Sequence, residues 1–157
     1  MGFFLRELRI HGRGGQGSVT AAELIAVAAF QGGVFAQAFP AFGVERRGAP
    51  VQAFVRFSNE KIRLRSQVYE PDYIIVQDST LISDINVFAG MKAGGIAIIN
   101  TEKTGGYSAP EGVSIITIDA TKIALEDALR GRFDGKLADT NIKASQRAYE
   151  MIKGRRA

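Results

Sequence analysis

At 157 residues, with 46% hydrophobic and 23% charged residues, the chain has the length and balance of a soluble protein with a core of its own. It has no cysteine and one histidine, His11, which excludes disulfides, a thiolate nucleophile, cysteine-held zinc or iron–sulfur clusters and multi-histidine metal centres. The formal charge of +4 points to an anionic partner, a phosphorylated ligand or an acidic protein surface, and the arginines show no interleaving with a stacking platform that would suit nucleic acid.

Leu5 to Ile10 reads as a first strand, ending at His11. The stretch "HGRGGQGS" follows, and then Thr20 to Gln31 reads as a helix stopped by Gly32-Gly33. Thr20-Ala21-Ala22-Glu23 matches a capping box, which would start that helix three residues beyond Gly17. Val34 to Phe39 predicts a second strand closed by Pro40. Val51 to Phe57 and Ile62 to Arg65 alternate like the arms of a hairpin turned at Ser58-Asn59-Glu60-Lys61. Tyr73 to Gln77, Ile96 to Asn100 and Ser114 to Ile118 are runs rich in Ile and Val, the pattern of buried parallel strands. Helices follow Asp78 and Asp119, each Asp placed as an N-cap. A last helix runs from about Leu137 to Lys153, with Ala144, Ala148 and Met151 on one stripe.

Strands alternating with helices predict an α/β fold, a three-layer α/β/α Rossmann-like domain with a mostly parallel sheet plus a β-hairpin, spanning 1–157 as a single domain. No apolar run reaches the ~18 residues needed to span a bilayer. Arg6 stands where a myristoylation signal needs Ser or Thr, and no secretory pattern is present. The expected setting is the cytoplasm, without a membrane partner.

Gly12-x-Gly14-x-x-Gly17 has the spacing that lets backbone wrap a pyrophosphate, with N–H groups and a helix dipole holding the anion. Arg13 is placed to reach a phosphate, and Gly15 adds clearance. The dinucleotide fingerprint also needs an acid at the end of the second strand, and "VFAQAFP" has none. The loop is therefore either a phosphate cradle of another kind or a glycine turn serving close packing. The helix after it shows only Thr20, Glu23 and Gln31 as polar positions, so its outer side reads as a subunit interface. Glu45-Arg46-Arg47-Gly48, between Pro40 and Pro50, suits bidentate contact with carboxylate or phosphate. In the expected hairpin, Arg56 faces Arg63 with Arg65 beside them, an arrangement that calls for an acidic partner or a bound anion. His11 reads as a hydrogen-bonded structural residue. No residue reads as catalytic or metal-ligating.

"RIHGRGGQG", "AQAFPAFGVERRGAPVQAFVR", "IRLRSQVYEPDYIIVQD" and "INTEK…IDATKIAL" together resemble the gamma subunits of 2-oxoacid:ferredoxin oxidoreductases, above all those of pyruvate synthase and the branched-chain oxoacid enzymes. The resemblance covers Leu8 to Leu125; after Leu125 the chain is shorter than the family pattern. It implies an accessory subunit of an anaerobic enzyme that converts a 2-oxoacid, coenzyme A and oxidised ferredoxin to acyl-coenzyme A, CO2 and reduced ferredoxin. It further implies alpha, beta and delta partner subunits, with thiamine diphosphate and iron–sulfur clusters held there and ferredoxin met indirectly. No cofactor would be held by this chain alone. Coenzyme A would be contacted at Gly12, Arg13, Gly14, Gly15, Gln16 and Gly17 and at Glu45, Arg46, Arg47 and Gly48. The glycine loop taken by itself keeps two other readings open, a freestanding nucleotide-binding protein and a purely structural interaction subunit.

Overall fold

The computed structural model describes residues 4–41 and 47–120. The chain divides into two units, Met1–Ile118 and Asp119–Ala157, and the account below concerns the first. The expected helix from Leu137 to Lys153, and the one after Asp119 beyond Ala120, lie outside the described residues.

Strand β1 (Leu5–Arg13) leads through the glycine loop into helix α1 (Ser18–Gln31) and strand β2 (Phe35–Pro40). Strands β3 (Pro50–Ser58) and β4 (Tyr73–Val76) follow, then the one-turn helix α2 (Leu81–Asp84) and strands β5 (Ile96–Asn100) and β6 (Ser114–Ile118). They form one six-stranded sheet in the order β2-β3-β1-β4-β5-β6. The β1–β4, β4–β5 and β5–β6 pairs are parallel, while β3 runs antiparallel to both neighbours, β1 and β2. The expected α/β architecture with a mostly parallel sheet is what forms.

The alternation of side chains across β4 separates two cores. Ile74 and Val76 join Leu81, Val87, Phe88, Ala97 and Ile99 on one face, under α2 and the segment after it. Ile75 points to the other face, where Leu8, Ile10, Ala53 and Val55 pack with Ala22 and Ile25 of α1.

Two expectations are corrected. The first is the hairpin: residues 61–65 form no strand, and β3 pairs instead with β1 and β2. The reason is long-range. The Arg56 guanidinium is buried and its Nε donates to Glu7 Oε1 at 2.8 Å, directly across the β1–β3 pair, so Arg56 never faces Arg63. Its Cζ also sits 5.0 Å over the Phe39 ring of β2, a cation–π contact that fixes the third strand of the row. A buried ion pair of this kind says more about register than about net stability, because removing either partner strands the other charge away from water.

The second concerns the start of α1, which begins at Ser18 rather than Thr20. Gly17, at φ 77°, is the N-cap, a left-handed conformation that glycine adopts without steric cost. The helix therefore starts immediately after the loop, and no side chain caps it.

On the face away from α1, β1 also buries Arg9 and His11. Arg9 Nε donates to His11 Nε2 at 3.0 Å, and Arg9 Nη2 donates to the carbonyls of Val87 (3.1 Å) and Ala89 (2.6 Å). The accepting Nε2 sets His11 as the neutral tautomer with its proton on Nδ1. Burial, and then the adjacent Arg9 charge, push the imidazole pKa down to about 4, so His11 is the structural residue expected of it.

A pH dependence follows from that shift. The unfolded chain takes up a proton near 6.5 while the folded chain resists until about 4, so stability is full above 6.5 and falls as pH drops through that window. The loss between those limits is expected to reach about 3 kcal/mol. Urea titrations of the chain from pH 7 to pH 4 measure it, and His11→Gln, which keeps an acceptor for Arg9, should flatten the slope; an unchanged slope would refute the assignment.

Candidate functional site

The chain leaves β1 toward one side of the sheet through α1, whereas β4, β5 and β6 extend the sheet on the other side. The carboxyl ends of β1 and β4 thus flank the point where strand order reverses, the usual place for a ligand crevice in an α/β fold. The glycine loop sits there, joined by Gln77 and Asp78 from the end of β4.

Close approach at this point depends on Gly12. A Cβ there would collide with Ser18 Oγ, the first residue of α1, and lie 2.5 Å from Gln77 Oε1. Those two groups are hydrogen-bonded, Ser18 Oγ donating to Gln77 Oε1 at 2.6 Å, so α1 is pinned to the end of β4 through the space a side chain would fill.

Arg13 does something other than face solvent. Its Nε donates to Asp78 Oδ2 at 3.1 Å, its Nη2 to Thr80 Oγ1 at 2.8 Å and to Asp84 Oδ2 at 2.7 Å, and its Nη1 to the Gly48 carbonyl at 3.3 Å. Asp84, followed by burial acting the other way and then Asp78, leaves the Arg13 pKa raised. Asp78 is held below the usual carboxylate range, chiefly by the Thr80 hydroxyl, with Gln16 Nε2 and Arg13 adding to it. Asp78 is not the N-cap expected of it: it accepts from both the Thr80 N–H and its hydroxyl, an Asx-type turn, and Thr80 stands at the N-cap position of α2. Gln16 Oε1 accepts from the Arg13 N–H at 2.8 Å and closes the loop on itself.

The two sequence motifs meet through backbone. Gly14 N donates to the Ala49 carbonyl at 2.9 Å, Gly48 N donates to the Gly14 carbonyl at 3.1 Å, and Gly14 forms a bridge with Arg47. Gly12, Arg13, Gly14, Gln16, Arg47 and Gly48 are therefore brought together, with Gly15 (φ 94°) and Gly17 completing the loop. Glu45 and Arg46 lie outside the described residues. Sequence reading missed Ser18, Gln77, Thr80 and Asp84; only the position of Asp78 at a strand end hinted at the cluster.

With Arg13 paired with carboxylates, the donors open to an anion include the first-turn N–H groups of α1, at Ser18, Val19 and Thr20, which no side chain caps and which face no acid in their own turn. Among the described residues no group of three or more His, Asp or Glu is placed to hold a metal.

Fold and loop together define an α/β protein with a glycine turn at the sheet's switch point. The profile of the family described as pyruvate ferredoxin/flavodoxin oxidoreductase matches residues 7–128, and the chain belongs to that family. It is 53% identical over 153 residues to pyruvate synthase subunit PorC of Methanosarcina barkeri, covering 92% of this chain and 84% of the relative. It is 42% identical to the pyruvate/ketoisovalerate oxidoreductases common subunit gamma of Pyrococcus furiosus, covering 92% of this chain and 95% of the relative. That alignment runs over 178 positions, longer than the 157 residues here, so the relative carries residues this chain lacks. The crystal structure of pyruvate oxidoreductase subunit PORC of Thermotoga maritima superposes with a TM-score of 0.63 at 30% identity, covering 93% of this chain and 96% of that one. The protein is an accessory subunit of a pyruvate-type 2-oxoacid:ferredoxin oxidoreductase.

Gly12→Ala is expected to break the Ser18–Gln77 contact and lower stability by about 1–3 kcal/mol, the usual cost of forcing a group into filled space. Denaturant midpoints of the two proteins test this; a variant as stable as the parent would show that the clearance is not needed.

Proposed function

We propose that this subunit docks onto the thiamine-carrying chains of its enzyme through α1 and offers the glycine loop to a phosphate of coenzyme A. Helix α1 is the observation that carries both halves. Its outer face exposes Leu24 (65%), Val27 (54%) and Phe30 (68%), more apolar surface than a solvent-facing helix carries, and its amino end is uncapped beside the loop. The partners are the alpha, beta and delta chains, which hold thiamine diphosphate and the iron–sulfur clusters; this chain, without cysteine, has no thiolate for a cluster. The oxoacid is selected on those chains, in keeping with a relative named as common to pyruvate and ketoisovalerate enzymes. The assembly is cytoplasmic; no helix among the described residues is long and apolar enough to cross a membrane.

The loop is tested by Thr20→Asp. A carboxylate at the third helical position complements the uncapped turn and is expected to stabilise the chain by about 0.3–1 kcal/mol. The same charge would occupy the amides a phosphate needs, so the KM for coenzyme A in the assembled enzyme should rise about fivefold. Higher stability with an unchanged KM would show that no phosphate binds there.

The docking face is tested by Leu24→Gln with Val27→Gln and Phe30→Gln, exposed helix positions where Gln keeps helix propensity. Size exclusion after co-expression with the partner chains should show the parent in one complex and the triple variant outside it. A variant that still assembles would sink the assignment, and a melting curve of the free chain guards against misfolding.

A further inference from the structure

Residues Lys61-Ile62-Arg63-Leu64-Arg65 carry the period-two pattern of a strand, yet the sheet leaves them out, because both sides of β3 are taken by β1 and β2. They run without helix, turn or bend. Among the described residues, no backbone N–H or carbonyl of 61–65 has a hydrogen-bond partner, and Lys61, Arg63 and Arg65 face no carboxylate. All three cations are exposed, as is Leu64 at 46%. The segment is nonetheless held at both ends. Before it, Glu60 N donates to Ser58 Oγ at 3.0 Å; after it, the buried Arg56 donates through Nη2 to the Gln67 carbonyl at 3.2 Å and to Ser66 Oγ at 3.5 Å.

We propose that residues 61–65 are a docking strand for an extended, acidic segment of a partner subunit. The proposal rests on the reading of this chain as one subunit of a larger enzyme. A pinned segment with a free backbone offers a row of donors and acceptors to an incoming strand, the geometry of strand addition. Three positive charges on one side of that row select the occupant. In a paired strand they lie opposite residues of the visitor, where opposite charges stabilise each pair and like charges oppose it. Leu64 on the other side supplies an apolar contact at the alternate position. Nucleic acid fits less well, since no aromatic side chain alternates with these cations to stack a base. Exposed cations within a few residues of one another also steer an acidic partner at low salt, an effect that fades as ionic strength rises.

Hydrogen–deuterium exchange of the free chain and of the assembled enzyme tests this. In the free chain the amides of 62–65 should exchange at unprotected rates; in the assembly alternate amides should slow by roughly tenfold or more. Lys61→Glu with Arg63→Glu and Arg65→Glu, all exposed positions, should abolish that protection and let the complex part at lower salt. An assembly that forms by size exclusion but leaves 61–65 unprotected overturns the proposal while the subunit reading stands. Failure to assemble at all overturns both. Protection that grows with the concentration of the free chain means self-pairing, and equal protection by heparin means a general polyanion site; either outcome overturns the partner assigned here.

Discussion

The guanidinium of Arg13 holds together three pieces of chain that are far apart in sequence. It gathers Asp78, Thr80 and Asp84 from the turn after β4 and the Gly48 carbonyl from the loop before β3, while its own backbone belongs to the end of β1. The glycine loop is thus a fixed junction, closed by one cation shared between two carboxylates. Arg9, four residues earlier on the same strand, grips the carbonyls of Val87 and Ala89 further along the segment that Arg13 holds. Arg9 and Arg13 between them anchor the run from Asp78 to Ala89 against the sheet. The phosphate contact proposed for the loop then falls to backbone amides and to the exposed Arg47, since Arg13 is already paired with carboxylates.

Much of the parallel half of the fold was legible because its strands are short runs rich in Ile and Val, although the edge strand β6 leaves Ile116 and Ile118 exposed where burial was expected. Tyr73–Val76, Ile96–Asn100 and Ser114–Ile118 form where their composition places them. The glycine loop and the Arg47-Gly48 loop read as a pair, and they do bond through Gly14 and Gly48. What failed were local rules that a distant residue overrode. Thr20 and Glu23 match a capping box, but the helix start is set by the φ of Gly17 and the Ser18–Gln77 contact. Ile62–Arg65 alternates as well as any strand, but Glu7 claims Arg56 from 49 residues away and seats β1 where a hairpin arm would lie. Asp84 carried no signal at all, since a single acid in a one-turn helix looks like surface until Arg13 is seen beside it.

Beside Arg6 and Arg13, which are paired with carboxylates, two further sets of cations do different work. Arg9 and Arg56 are buried and bound to carbonyls, a histidine, a glutamate and an aromatic face, so their charge is spent on strand register and on loop placement. Lys61, Arg63 and Arg65 are exposed and without an ion pair among the described residues, so their charge is left available to a partner. Counting cations in the sequence gives the net sign but not this division.

The division has a direction in space. Ala53, Val55 and Phe57 of β3 pack toward α1, whereas Arg56, one residue out of phase, points to the opposite face and holds the 66–67 end of the free segment there. The apolar face of α1 and the basic segment at 61–65 therefore belong to opposite sides of the antiparallel half of the sheet. Under the two docking proposals, these faces would meet neighbours of unlike chemistry. One contact works by excluding water and is indifferent to salt; the other works by charge and weakens as ionic strength rises. On that proposal the hydrophobic side would supply the lasting attachment, and the basic side would select the neighbour and its register.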